Sequence, residues 1–145
     1  MNTAEAPSVL VVDDNRDHAQ ALTKVFERAG YRVTTASDGQ EALSILLERP
    51  FDLVLTDLRM PRMNGLDLLR SIRTMSPKIA VVIITAFGEW TTYVSAMDTG
   101  AADYLNKPFR REDILATARK ALARRGIPAP GVRSTGSALS GAISA

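Results

Sequence analysis

Apolar residues along this chain gather into short runs, separated by longer stretches in which they recur every three or four positions. The runs Val9 to Val12, Leu53 to Thr56 and Ala80 to Ile84 are almost wholly apolar, as expected of central strands buried on both faces of a parallel sheet. Arg32 to Ala36 and Asp103 to Asn106 are more polar and complete the strand candidates. Between them, Ala19, Leu22, Val25 and Phe26 mark one face of a helix predicted over Arg16 to Ala29, with Gly30 placed for a left-handed cap. Gln40 to Glu48 and Leu66 to Met75 repeat the period, the latter with Leu66, Leu69 and Ile72 inward and Arg70 and Arg73 toward water. Helices over Glu89 to Thr99, stopped by Gly100, and over Glu112 to Arg125 finish the set. Trp90, Val94 and Met97 keep helical spacing and predict core packing, although Trp90, at the helix start, suits exposure equally well. Strands alternating with helices predict an α/β fold in which crossover helices join parallel strands into a doubly wound sheet.

From Pro128 onward Pro, Gly, Ser, Thr and Ala dominate and Arg133 is the single charge. Such a segment buries too little apolar surface to offset chain entropy. One domain over residues 1–126 is therefore expected, with residues 127–145 a flexible tail or linker. The chain of 145 residues, 46% apolar and 23% charged, has the make-up of an ordinary globular protein. It contains no cysteine, which excludes disulfides, thiolate metal sites and a thiol nucleophile. The longest apolar run, Ile79 to Ile84, is far short of the roughly 20 residues a membrane span needs. A soluble, cytoplasmic protein without membrane contact is expected. The net charge of +2 is small, and the cluster Arg119, Lys120, Arg124 and Arg125 suits a helix C-terminus. No direct contact with nucleic acid is expected from this chain.

The chemistry concentrates where the strands end. In an open parallel sheet the C-terminal ends of the strands share one edge, and ligands bind in the crevice there. The first strand candidate runs into Asp13 and Asp14, the third into Asp57, the fourth into Thr85 and the fifth into Lys107. An acid after a strand is often a helix cap, and Asp14 alone reads either way. Polar groups delivered to one edge by four strands read as a site. A pair of carboxylates about 4 Å apart repels by roughly 4 kcal/mol at an effective dielectric of 20. A hard divalent cation with oxygen ligands, Mg²⁺ before others, would relieve this. Acids holding Mg²⁺, a lysine and a hydroxyl together form a phosphoryl-transfer site, with one carboxylate as nucleophile. Asp57, between the acid pair and the Thr85 and Lys107 side, is the candidate nucleophile.

These residues resemble the receiver domains of two-component response regulators, over Ser8 to Ala123. The resemblance is carried by Val-Val-Asp-Asp-Asn at Val11 to Asn15, Thr-Asp-Leu-Arg-Met-Pro-Arg-Met-Asn-Gly at Thr56 to Gly65, Ile-Thr-Ala at Ile84 to Ala86 and Tyr-Leu-Asn-Lys-Pro-Phe at Tyr104 to Phe109. It implies a flavodoxin-like five-stranded sheet in the order 2-1-3-4-5 with five helices. It also implies that Asp57 accepts the phosphoryl group, and that Asp13, Asp14, Asp57 and the backbone carbonyl of Arg59 hold Mg²⁺. Thr85 and Lys107 would bind phosphoryl oxygens, the Lys107–Pro108 bond would be cis and aim Lys107 at Asp57, and Tyr104 would be an aromatic switch coupled to Thr85. The donor would be a sensor histidine kinase or a histidine phosphotransfer protein. The protein would be a phosphoacceptor switch with its own dephosphorylation, and not a turnover enzyme. The stretch from Thr85 to Phe109 looks most like receivers of nitrogen-regulation activators, which continue into output domains. An output partner or output domain, and a second copy of the chain, are therefore the expected further contacts.

Other residues have plainer readings. Met60 and Met63 read as loop filler, Gly65 as relief for a crowded backbone and His18, the sole histidine, as a surface residue of the first helix. Arg59 reads equally as a tuner of dephosphorylation and as a solvated loop arginine. An aspartyl-phosphate phosphatase would need a second acid where Arg59 stands, and a flavin module would be repelled by Asp13, Asp14 and Asn15. A receiver that binds partners without phosphorylation would lack one of the acids or the lysine, all of which are present.

Overall fold

The computed structural model describes residues 6–86 and 88–130. Five strands and five helices alternate along them: β1 (Ser8–Val12), α1 (Arg16–Arg28), β2 (Arg32–Ala36), α2 (Gly39–Glu48), β3 (Leu53–Asp57), α3 (Gly65–Met75), β4 (Ala80–Thr85), α4 (Trp90–Thr99), β5 (Asp103–Asn106) and α5 (Arg111–Ala123). All strand pairs are parallel and the order is β2-β1-β3-β4-β5. The three apolar runs are thus the three inner strands, as their composition required.

Because side chains alternate across a strand, the inner strands feed two cores. Leu10, Val12, Val54, Val81 and Ile83 meet Ala42 and Leu46 of α2, Leu68, Leu69 and Ile72 of α3 and Ala96 of α4. Val9, Val11, Leu53, Leu55, Val82 and Ile84 meet Ala19, Leu22 and Phe26 of α1 and Ile114, Ala118 and Leu122 of α5. Asparagine and aspartate side chains start three of the helices: Asn15 accepts from His18 N, Asp38 from Glu41 N and Asn64 from Asp67 N. The cap of α1 is therefore Asn15, and Asp14 is left for other work.

Two faces differ from the periodic reading. Arg73, expected toward water, is half-buried, and its guanidinium donates to the carbonyls of Ser76 at 2.9 Å, Gly100 at 3.3 Å and Ile79. A planar fork with several donors satisfies loop carbonyls that helical spacing cannot foresee. On α4 the fully buried residue is Ala96, while Trp90 is 75% exposed and stacks on Tyr93 with ring centroids 5.5 Å apart. Gly126 ends the expected domain with φ +76°, and Ile127, the first residue of the expected tail, packs on the α1 and α5 core, its N–H donating to Leu122 O at 3.0 Å. The remainder of that expectation, residues 131–145, lies outside the described residues.

Gly65 opens α3 directly beneath the end of β3. A Cβ there would lie 2.6 Å from the carbonyl oxygen of Asp57 and 3.0 Å from Leu58 Cα, and backbone has little room to yield. Gly65→Ala is therefore expected to lower stability by about 1–3 kcal/mol, the usual cost of overpacking. Urea unfolding of the two proteins checks this, and equal midpoints would contradict it.

Candidate functional site

The sheet ladder continues past the strand ends and holds the chemistry in register. Asp13 N donates to Ala36 O at 3.1 Å, Leu58 N to Ile84 O at 2.9 Å and Lys107 N to Thr85 O at 2.8 Å. Asp57 is the last residue of β3, paired with Ile84, and Thr85, the last of β4, is paired with Asn106. Asp13, Asp57, Thr85 and Lys107 are thereby fixed at one edge by backbone hydrogen bonds, before any side chain contributes.

The side chains converge there. Asp13, Asp14 and Asp57 each present a carboxylate oxygen, all within 4.8 Å of one another. Lys107 Nζ lies 3.4 Å from Asp57 Oδ1 and 3.8 Å from Asp13 Oδ2. Asp13 is buried and its other oxygen accepts from Asn15 N at 2.8 Å, while Asp14 is exposed and Thr85 fully buried. Burial pushes the Asp57 carboxyl above the ordinary aspartate range; Lys107 draws it down, and Asp13 and Asp14 push it up. The set is all hard oxygen, its members span burial from 5% exposed Asp13 to exposed Asp14, and it matches a cation that keeps several waters. Arg59 follows in the β3–α3 loop with its side chain exposed. The Lys107–Pro108 bond is cis, as the motif implied.

Tyr104 sits within β5, buried, with its hydroxyl donating to Thr92 Oγ1 of α4 at 3.1 Å and its ring edge-on to Tyr93 at 5.6 Å. Tyr93 in turn stacks on Trp90. The switch candidate is thus joined to the exposed start of α4 by direct contacts.

Two neighbours of the site escaped the reading of the sequence. His18, expected to be merely superficial, brings Nδ1 to 3.2 Å from Lys107 Nζ and 3.7 Å from Asp13 Oδ2. Its place in the first turn after the capping Asn15, on the same edge as Asp13, was the available signal. Arg62 adopts φ +69°, unusual for a residue with a side chain, and pairs with Asp38 at 3.3 Å, tying the β3–α3 loop to the start of α2. Nothing local in the sequence marked that pair.

Comparison with known proteins agrees with this geometry. The profile of the response regulator receiver domain family matches residues 9–119. The transcriptional regulatory protein ZraR of Escherichia coli O157:H7 is 44% identical over 119 residues, 82% of this chain and 27% of that protein. A response regulator receiver domain protein from Clostridium thermocellum superposes with a TM-score of 0.79 at 35% identity, covering 83% of this chain and 97% of that one. NtrX from Brucella abortus gives a TM-score of 0.79 at 33% identity, over 83% of this chain and 28% of NtrX. The chain therefore spans less than a third of the length of ZraR and of NtrX. With the sheet order, the strand-end acids and the matched profile in agreement, this chain belongs to the response regulator receiver domain family of two-component signalling.

Proposed function

We propose that Asp57 accepts a phosphoryl group from a phosphohistidine on a sensor kinase or phosphotransfer protein, and that the resulting charge resets the surface at α4 and β5. The observation that carries this reading is the approach of Lys107 Nζ to 3.4 Å from Asp57 Oδ1 beside Asp13 and Asp14. In the step, an Asp57 carboxylate oxygen bonds to phosphorus, the donor's N–P bond breaks, and the imidazole leaves with the electron pair. Hydrolysis returns the carboxylate and releases inorganic phosphate. Asp13, Asp14, Asp57 and the Arg59 carbonyl would hold Mg²⁺, which when bound supplies positive charge against the phosphoryl oxygens. Lys107 and the Thr85 hydroxyl bind the remaining oxygens, and burial of Asp57 strengthens both contacts by excluding water. The protein is a switch with its own dephosphorylation, and not a turnover enzyme.

The readout follows from the contacts around Tyr104. When Thr85 turns to the phosphoryl group, the packing of Tyr104 against Thr92 and Tyr93 changes, and the start of α4 with it. Moving a switch from 1:99 to 99:1 takes about 5.5 kcal/mol, and charged hydrogen bonds worth roughly 1.5–3 kcal/mol each supply much of that. Trp90 and Arg111 belong to the surface offered to an output domain, a separate partner or a second copy, with Tyr104 buried beneath it. The greater length of ZraR and NtrX supports an output domain.

Intact mass after incubation with acetyl phosphate and Mg²⁺ is expected to show one added phosphoryl group, lost in Asp57→Asn and in excess EDTA. Labelling of Asp57→Asn at the parent's level would place the acceptor elsewhere. Because the folded Asp57 carboxyl is raised, folding binds a proton as pH falls through the interval above the ordinary aspartate value, so ionised Asp57 opposes folding at neutral pH. Without divalent ions, Asp57→Asn should therefore melt higher than the parent at pH 7, with the gap closing as pH falls toward 4; a lower melting point at pH 7 would contradict the burial cost. Trp90 emission should respond to phosphorylation in the parent, and an intact response in phosphorylated Thr85→Ala would break the coupling through Thr85.

A further inference from the structure

We infer that His18 is a positioning residue for Lys107, an assignment that rests on the phosphoacceptor reading above. Three groups face Lys107 Nζ: His18 Nδ1 at 3.2 Å, Asp57 Oδ1 at 3.4 Å and, as an ion pair only, Asp13 Oδ2 at 3.8 Å. The imidazole is the shortest of the three. An ammonium group has donors only, so the nitrogen facing it is an acceptor. Asp13 Oδ2, at 3.7 Å from the same nitrogen, is beyond hydrogen-bonding distance.

Two of the three anchors have other duties. Asp57 gives one oxygen to phosphorus and Asp13 faces the cation, so the hold that both exert on Lys107 weakens when the reaction begins. His18 keeps its contact because it takes part in neither task. The lysine stem is a flexible four-carbon chain, and holding it in one place costs rotamer freedom. An acceptor on α1 that holds Nζ from the side prepays that ordering before the donor arrives. His18, Asp13 and Lys107 also line a cavity of about 360 Å³ with Leu22, Pro108 and Phe109.

His18 acts through Lys107, and its removal should slow transfer without abolishing it. With acetyl phosphate as donor, the Asp57 oxygen bonds to phosphorus, the donor's P–O bond breaks and acetate leaves. The rate at saturating acetyl phosphate and Mg²⁺, followed by intact mass on the full chain, is expected to fall about tenfold in His18→Leu, near the lower end for one hydrogen bond to a charged group. His18→Gln, whose amide oxygen can accept from Nζ, should recover most of the rate. In a Lys107→Ala background the same His18→Leu change should have no further effect, since residues that act as a unit are not additive. Equal rates for the parent and His18→Leu, or an undiminished tenfold effect in Lys107→Ala, would overturn the assignment. Failure of the parent itself to label would instead overturn the phosphoacceptor reading. Because His18 has a half-exposed side chain, the variants should melt with the parent, and a melting point matched across them separates positioning from folding.

Discussion

Three carboxylate groups held within 4.8 Å of each other against one lysine are the constraint on which this molecule is organised. Left to themselves, the side chains of Asp13, Asp14 and Asp57 would separate. Backbone hydrogen bonds at the ends of β1, β3 and β5 prevent it, because the sheet must deform before the acids can part. The apolar inner strands have a consequence beyond stability: their burial on both faces makes the edge stiff enough to bear unfavourable charge. Such a cluster of acids could hold a metal ion, and Lys107 already places one positive charge against it.

The same stiffness makes the site readable from a distance. Thr85 closes β4 at the acidic edge, and Tyr104 stands on the neighbouring β5, whose hydroxyl reaches Thr92 of α4. Tyr93 and Trp90 continue the contacts to solvent. Of α4, Ala96 alone is fully buried among its described residues, with Met97 packed partly against the same core.

Much of this was legible in the sequence. The apolar runs gave the inner strands, Gly30 and Gly100 gave helix stops in the left-handed conformation, and the strand-end residues gave Asp13, Asp14, Asp57, Thr85 and Lys107 as one cluster. These features are local, or become local once parallel strands are granted a common edge. The strand order came from the motifs' resemblance to receivers, since periodicity is indifferent to which strands are neighbours.

The misreadings share one cause. Arg73 looked like a wet-side residue because helical spacing reports a face and not the loop carbonyls folded over it. For Trp90 helical spacing left core packing and exposure open, and the structure exposes it because α4 meets the core through Ala96. His18 and Lys107 are 89 residues apart and touch only because α1 and the end of β5 flank the same edge. Arg62 and Asp38 meet for the same kind of reason. The chain's own pattern determined which segments become strands and helices, where they stop and which residues stand at the acidic edge, because each depends on neighbours a few positions away. Which side chains close on Lys107, and which residue of α4 reaches the core, depended on distances between elements remote in sequence, and those exist only after the crossovers have packed.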